Sequence, residues 1–137
     1  MSISFNLDRC KGVIAIAAGA YTTAQTGAVI DRTGYNSAIL SLPAGASSGN
    51  TLTLTMFEGD GSTAATAVTL SATPAVVTTT AATFTTYQLD LSGMNKNIKF
   101  VVTPGNSTSC AYALSVLLFD ARVDPGSGTA VTPLRKA

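Results

Sequence analysis

Residues 26–62 read TGAVIDRTGYNSAILSLPAGASSGNTLTLTMFEGDGS. From Thr51 to Met56 the alternation is strict, with Leu52, Leu54 and Met56 on one face and Thr51, Thr53 and Thr55 on the other. A period of two with β-branched partners predicts a half-buried strand. Upstream, the apolar run Ser37–Leu42 follows the polar step Asp31-Arg32-Thr33-Gly34 and predicts another strand. Pro43–Asn50 is a connection of small residues between the two. Glu58-Gly59-Asp60-Gly61-Ser62 closes the later strand as a turn, in which glycine supplies a positive φ without steric cost.

The same punctuation runs outward in both directions. Ser2–Leu7 sets Ile3, Phe5 and Leu7 on one face, as a short strand or an extended arm. Val13–Ala18 is apolar on both faces, and its β-branched Ile14 and Ile16 between glycines favour strand over helix. Ala64–Ala72 carries Val68 and Leu70 on one face, and Val76–Thr80 follows beyond Pro74. Phe84–Leu91 alternates with Tyr87, Leu89 and Leu91 inward, and Ile98, Phe100 and Val102 repeat the pattern. Cys110–Phe119 is apolar on both faces. Such a strand is hidden on both sides, either by a second layer of its own chain or by a neighbouring subunit.

The expected architecture is all-β: eight or nine short strands in a β-sandwich or jelly-roll-like barrel, with extended N- and C-terminal arms. The 137 residues suit one domain. Within it, residues 1–25 form an arm and first strands, 26–124 the sandwich core, and 125–137 a Gly/Ser/Thr/Pro tail. The tail, the first strand or both are expected to lie against a neighbouring subunit.

Composition narrows the function. Apolar residues make up 46% of the chain but charged ones only 11%, where about a quarter is usual. Either hydroxyls alone keep the surface soluble or other protein covers it, and we favour cover. The net charge is +1 and the basic residues are scattered, so the electrostatic footprint of a nucleic-acid partner is missing. Gly12–Ala20 follows Arg9 and Lys11 like the core of a secretory leader. It is short, Asp8 precedes it and Met1–Leu7 alternates, so we expect no cleaved leader. No run approaches the about 18 apolar residues of a membrane helix, and no membrane partner is expected.

The order AVIDRTGYNSAILSL, then Pro43-Ala44-Gly45-Ala46, then a strand ending in FEGDGST, resembles the capsid decoration (cement) proteins of tailed bacteriophages. The later KFVVTPGNSTSCAYALSVLLFDARVDP, residues 99–125, is similar to their closing strands and Pro-containing exit. The likeness spans roughly residues 26–125 and rests on strands and turns, with fewer acids at Glu58-Gly59-Asp60 than the family pattern carries. It implies a structural virion protein, made in the host cytoplasm and seated on the outside of the head. There it would bind the major capsid protein, assemble as a homotrimer and stabilise the shell by bridging capsomers. Two rivals are a tail-fibre or baseplate module for receptor or carbohydrate, and a head–tail connector or tail-tube subunit.

Chemistry finds little footing. The chain has no histidine, so Ser–His and Cys–His nucleophiles lack their base. Asp31, Glu58, Asp60, Asp90, Asp120 and Asp124 each fall at a turn or strand end, where acids cap or solvate. Cys10 and Cys110 form no metal-binding pair. They read as two buried free thiols, a disulfide being open to them only if the N-terminal strand lies beside the last one. We expect no enzyme activity, metal or cofactor.

The candidate interface residues are Phe5, Asp31, Arg32, Tyr35, Asp120, Arg122, Asp124 and Arg135. The charged ones are either isolated surface pairs or groups that fix orientation across an interface, for which the guanidinium fork is suited. Tyr35 is either core-edge packing or an interface anchor.

Overall fold

A computed structural model describes residues 10–74, 77–106, 108–120 and 133–137. Six long strands carry the architecture: β1 (Cys10–Tyr21), β4 (Ser37–Ala44), β5 (Thr51–Gly59), β8 (Thr83–Asp90), β9 (Asn97–Pro104) and β10 (Cys110–Phe119). Five two-residue strands complete it: β2 (Gln25–Thr26), β3 (Ile30–Asp31), β6 (Thr66–Ala67), β7 (Val77–Thr78) and β11 (Leu134–Arg135). The eleven strands of the described residues thus exceed the eight or nine expected, because short edge pairings count separately.

The first sheet runs β1-β10-β4-β8-β11 and the second β2-β9-β5-β6, with β3 also on β9 and β7 also on β5. Pairing is antiparallel except between β11 and β8. The sheets stack as a sandwich because each has an apolar inner face. Leu40, Leu42, Leu114, Val116 and Leu118 come from the first sheet, and Leu52, Ile98, Phe100 and Val102 from the second; all are buried. Each such side chain contributes about 1.5–3 kcal/mol by leaving water. The inward faces read from the alternation of Thr51–Met56, Phe84–Leu91 and Ile98–Val102 are the faces found inside.

β1 departs from regular pairing. Ile14 is opposite Ser115 but Ile16 is opposite Leu114, and a second shift falls between Ile16 and Gly19. Each bulge adds a residue to β1, which explains why Ala15 and Ile16 are both buried in succession. At the first bulge the Ala15 carbonyl accepts the Ala28 N–H at 3.0 Å, while the Gly27 N–H reaches the Phe100 carbonyl at 2.7 Å. Gly27-Ala28 therefore bridges the two sheets. A Cβ on Gly27 would stand 2.9 Å from the Phe100 carbonyl oxygen and 3.2 Å from that of Ala15, so close backbone approach requires glycine there.

Four expectations change. Residues 64–72 do not form a continuous strand: only Thr66–Ala67 pairs with β5, and Leu70 then bridges to Lys136. In the turn after β5 the positive φ belongs to Ala64 (+44°) and not to Gly59 or Gly61. Gly59 instead gives room, since a Cβ there would lie 3.0 Å from the Ala64 Cα. The described end of the tail is held by its own chain: β11 runs beside β8, and the Ala137 N–H donates to the Thr69 carbonyl at 2.8 Å. Residues 10–21, counted with the arm, are an integral strand of the first sheet. The expected strand at Ser2–Leu7 and residues 125–132 of the tail lie outside the described residues.

Candidate functional site

The strand apolar on both faces, β10, poses the question of what covers it. Its inner side chains Cys110, Tyr112, Leu114, Val116 and Leu118 are buried in the sandwich. Its outer ones, Ala111, Ala113, Ser115, Leu117 and Phe119, face away from the second sheet, and no described element of the chain lies over them. The neighbouring strands extend this outer face. Leu117 is in register with Ile39 of β4 and Gly12 of β1, Ser115 with Ser41 and Ile14, and Pro43 of β4 with Phe84 of β8. Ile14 is 71% exposed, Phe84 69% and Leu117 42%. Gly12, Ile14, Ser41, Ser115 and Leu117 surround a shallow, open depression of about 260 Å³. Between Gly12 and Gln88 the face carries small, apolar and hydroxyl groups, and among the described residues charge appears at its rim, at Asp90 and at Arg135 in register with it.

The outer face of the second sheet is of another kind. Thr53 is in register with Thr103 and Thr55 with Val101, so hydroxyls dominate. Phe57 is the aromatic there, and the Lys99 ammonium lies 5.4 Å from its ring centroid. That contact covers the ring with a cation and its alkyl stem.

The charges collect at one end of the sandwich. Lys11 sits at the start of β1, Asp31 ends β3 with Arg32 next to it, and Asp60 lies past β5. Asp90 ends β8, Lys96 precedes β9 and Asp120 follows β10. Arg135 is in register with Asp90. Among the described residues Lys99 is the one charged side chain along a strand away from this end. The opposite end is closed by uncharged groups. Asn50, fully buried, accepts the Gly105 and Asn106 N–H groups on Oδ1 at 3.1 and 3.2 Å and donates Nδ2 to the Thr108 carbonyl at 2.8 Å. Buried Thr79 shares its hydroxyl between the carbonyls of Asn50 and Ser47.

Asp31-Arg32-Thr33-Gly34-Tyr35 is a built turn at the charged end. Asp31 Oδ1 accepts the Thr33 N–H at 2.9 Å and its hydroxyl at 2.6 Å, and Gly34 takes φ +88°. These hydrogen bonds hold the Asp31 carboxyl below the ordinary aspartate pKa, with help from Lys96 at 3.7 Å. The Arg32 guanidinium donates inside its own chain, to the carbonyls of Asn95 (2.8 Å), Met94 and Tyr35. Arg32 thereby clamps this turn to the one spanning residues 91–96. Tyr35 is half-buried and packs on the core edge. Arg135 is exposed, its backbone N–H on the Ser71 hydroxyl. Asp120 follows β10 directly and is half-buried. Phe5, Arg122 and Asp124 lie outside the described residues.

Glu58 belongs to this end too, but buried inside β5 and not solvated at a turn as expected. Its Oε2 accepts the Asn95 N–H at 2.8 Å and its Oε1 the Lys136 ammonium. With its donors and acceptors committed in this way, the cluster is a clamp on three chain segments.

The two cysteines occupy neighbouring strands without meeting. Cys10 is opposite Phe119 and Cys110 opposite Tyr21. That sets the two residues about 30 Å apart at about 3.3 Å per residue, far beyond the about 7 Å a disulfide tolerates between Cα atoms. Both are free; Cys110 is buried, but Cys10, at the start of β1, is exposed where burial was expected. Among the described residues no group of three metal-ligating side chains is found, and no helix is long and apolar enough to cross a membrane.

No protein-family model and no curated protein matches the chain. Among solved structures, the chain is similar to the crystal structure of the PBSX exported protein XepA, at a TM-score of 0.48 and 22% identity, a weak likeness. The alignment covers 89% of this chain and 43% of that one, so the chain spans less than half the length of XepA.

Among the features just described, sequence reasoning missed Asn50, Thr79 and the Glu58–Lys136 pair. Asn50 sits in a run of Ser and Gly that reads as an ordinary loop, and nothing local marks its burial. The outer face was anticipated from the two-sided apolar pattern of Cys110–Phe119.

Proposed function

We propose that this protein is a structural virion subunit that seats on the outside of a phage head and stabilises the assembled shell. The observation that carries the reading is the outer face of the first sheet. A chain this poor in charge leaves Ile14, Leu117 and Phe84 open to water on a four-strand surface, and exposed apolar faces of this kind serve assembly. The sequence resemblance of residues 26–125 to cement proteins supplies the specific assembly, with the major capsid protein as partner. The charged end gives such a subunit a direction, since its two ends differ in what they attract.

The mechanism is linkage. A subunit that binds the expanded shell and not its disrupted form stabilises the shell by about 2.7 kcal/mol per site at a free concentration of 100 Kd. Bridging adjacent capsomers adds multivalency, so modest contacts sum to firm attachment. Purified protein mixed with undecorated expanded heads tests this. Regular external density and a raised disruption temperature are the expected result. Bare heads at saturating protein would end the reading.

A further inference from the structure

The outer face of the first sheet carries both a knob and a hollow. Phe84, the knob, stands 69% exposed on β8 opposite Pro43. The hollow is the depression of about 260 Å³ lined by Ile14, Ser41, Ser115 and Leu117 among others. Ser41 is in register with Thr86, two residues along β8 from Phe84. Knob and hollow thus lie side by side on one surface, roughly two strands apart.

We infer that the occupant of this face is a second copy of the same chain, packed face to face about a twofold axis, with Phe84 of each copy seated between Ile14 and Ser41 of the other. The inference rests on the face being an assembly surface and assigns it to a second copy, which leaves contact with a head to the rest of the subunit's surface. Three observations select a second copy. First, a contact between identical faces must be self-complementary, and a knob beside a hollow on one face meets that condition. Second, identical faces bring identical charges together, which usually opposes association. Among the described residues the face carries no charge short of its rim, where Asp90 has Arg135 in register beside it, so like charges do not meet across its centre. Third, the area suffices. Four strands at a spacing of about 4.8 Å, with about eight residues at about 3.4 Å each, give a face of about 500 Å². Two such faces bury about 1,000 Å², the lower bound for a specific interface. The small residues Ala111, Ala113, Ser115 and Gly12 let the sheets approach to the about 10 Å of a stacked pair.

Sedimentation velocity on the full chain tests the inference through a charge exchange. The native protein is expected to sediment as a dimer, at twice its 13.9 kDa chain mass. F84D and I14K, each on an exposed side chain, are expected to fold with native circular dichroism and to sediment as monomers. Mixing the two variants should restore dimers. In the mixed pair the introduced carboxylate meets the introduced ammonium across one contact, and the unaltered Phe84 meets the unaltered Ile14 across the other. A native monomer or trimer would overturn the inference, as would a dimer unmoved by either variant or a mixture that stays monomeric. The two readings fail separately: a native monomer that still decorates heads removes the dimer alone, and a dimer that leaves heads bare removes the capsid role alone.

Discussion

Lys136 places its ammonium on the carboxylate of Glu58, 78 residues earlier in the chain, where β5 is buried. Burial by itself raises the Glu58 pKa. The Lys136 hydrogen bond, the Asn95 N–H and the charges of Lys136 and Arg32 outweigh it and hold the group below its ordinary value of 4.5. A carboxyl with a lowered folded pKa stabilises the fold above its unfolded pKa, and that contribution is lost as pH falls through the folded value. Chemical denaturation should therefore show stability declining on acidification below about pH 4.5, with the decline shallower in Glu58→Gln.

Lys136→Met leaves the Glu58 carboxylate buried with the Asn95 N–H as its remaining close partner. Breaking a fully buried pair costs about 3–5 kcal/mol. The Lys136 side chain is 39% exposed, so solvent screens part of the interaction, and the expected loss is about 1–3 kcal/mol. Urea midpoints measured at pH 7 check this, and an unchanged midpoint would show that water replaces the ammonium.

Gly27→Ala forces a methyl group against two backbone carbonyls, those of Phe100 and Ala15, which cannot swing aside as a side chain can. We expect a loss of about 1–3 kcal/mol, the range for overpacking. Faster hydrogen exchange should appear at Ala28 and along β1 near Ala15, where the bridge between the sheets loosens.

Asn50→Ala removes the partners of the Asn106 N–H and the Thr108 carbonyl, and the second acceptor of the Gly105 N–H, which keeps the Thr51 carbonyl at 2.7 Å. Unsatisfied buried groups cost about 1–3 kcal/mol each. With some relief from entering water, a loss of about 2–4 kcal/mol in thermal or urea denaturation is expected. Asn50→Asp keeps the acceptor but forfeits the donor to Thr108, so it should not restore full stability.

Tyr112 responds at the alkaline side. Its burial, with Tyr21 and Cys110 nearby, pushes the phenol up to about 12 from an ordinary 10. The unfolded chain then releases the proton first, so stability is flat below pH 10 and falls between about pH 10 and 12. The expected slope is about 1.4 kcal/mol per pH unit, and Tyr112→Phe should remove it from the alkaline unfolding curve.

The long strands were legible because each writes its burial locally. Leu52, Leu54 and Met56 alternate with threonines, and the face they define is the face found inside. The bulges of β1 were not legible, since they depend on register with β10, about a hundred residues away in sequence. Val68 and Leu70 alternate like a strand, yet that stretch pairs first with β5 and then with Lys136. Asp31-Arg32-Thr33-Gly34-Tyr35 was visible as a motif. Its role as a clamp required the carbonyls of Met94 and Asn95, which carry no side-chain signal. Glu58 misled for the same reason, its partner Lys136 lying in a tail that was expected to lie against a neighbouring subunit.

The antiparallel pairing of β1 with β10 leaves one thiol in water and the other sealed in the core. A maleimide dye would consequently react at Cys10 and spare Cys110, marking the charged end of an otherwise native molecule. Energy transfer from that label to a dye on the shell would report which end points inward, with no residue replaced.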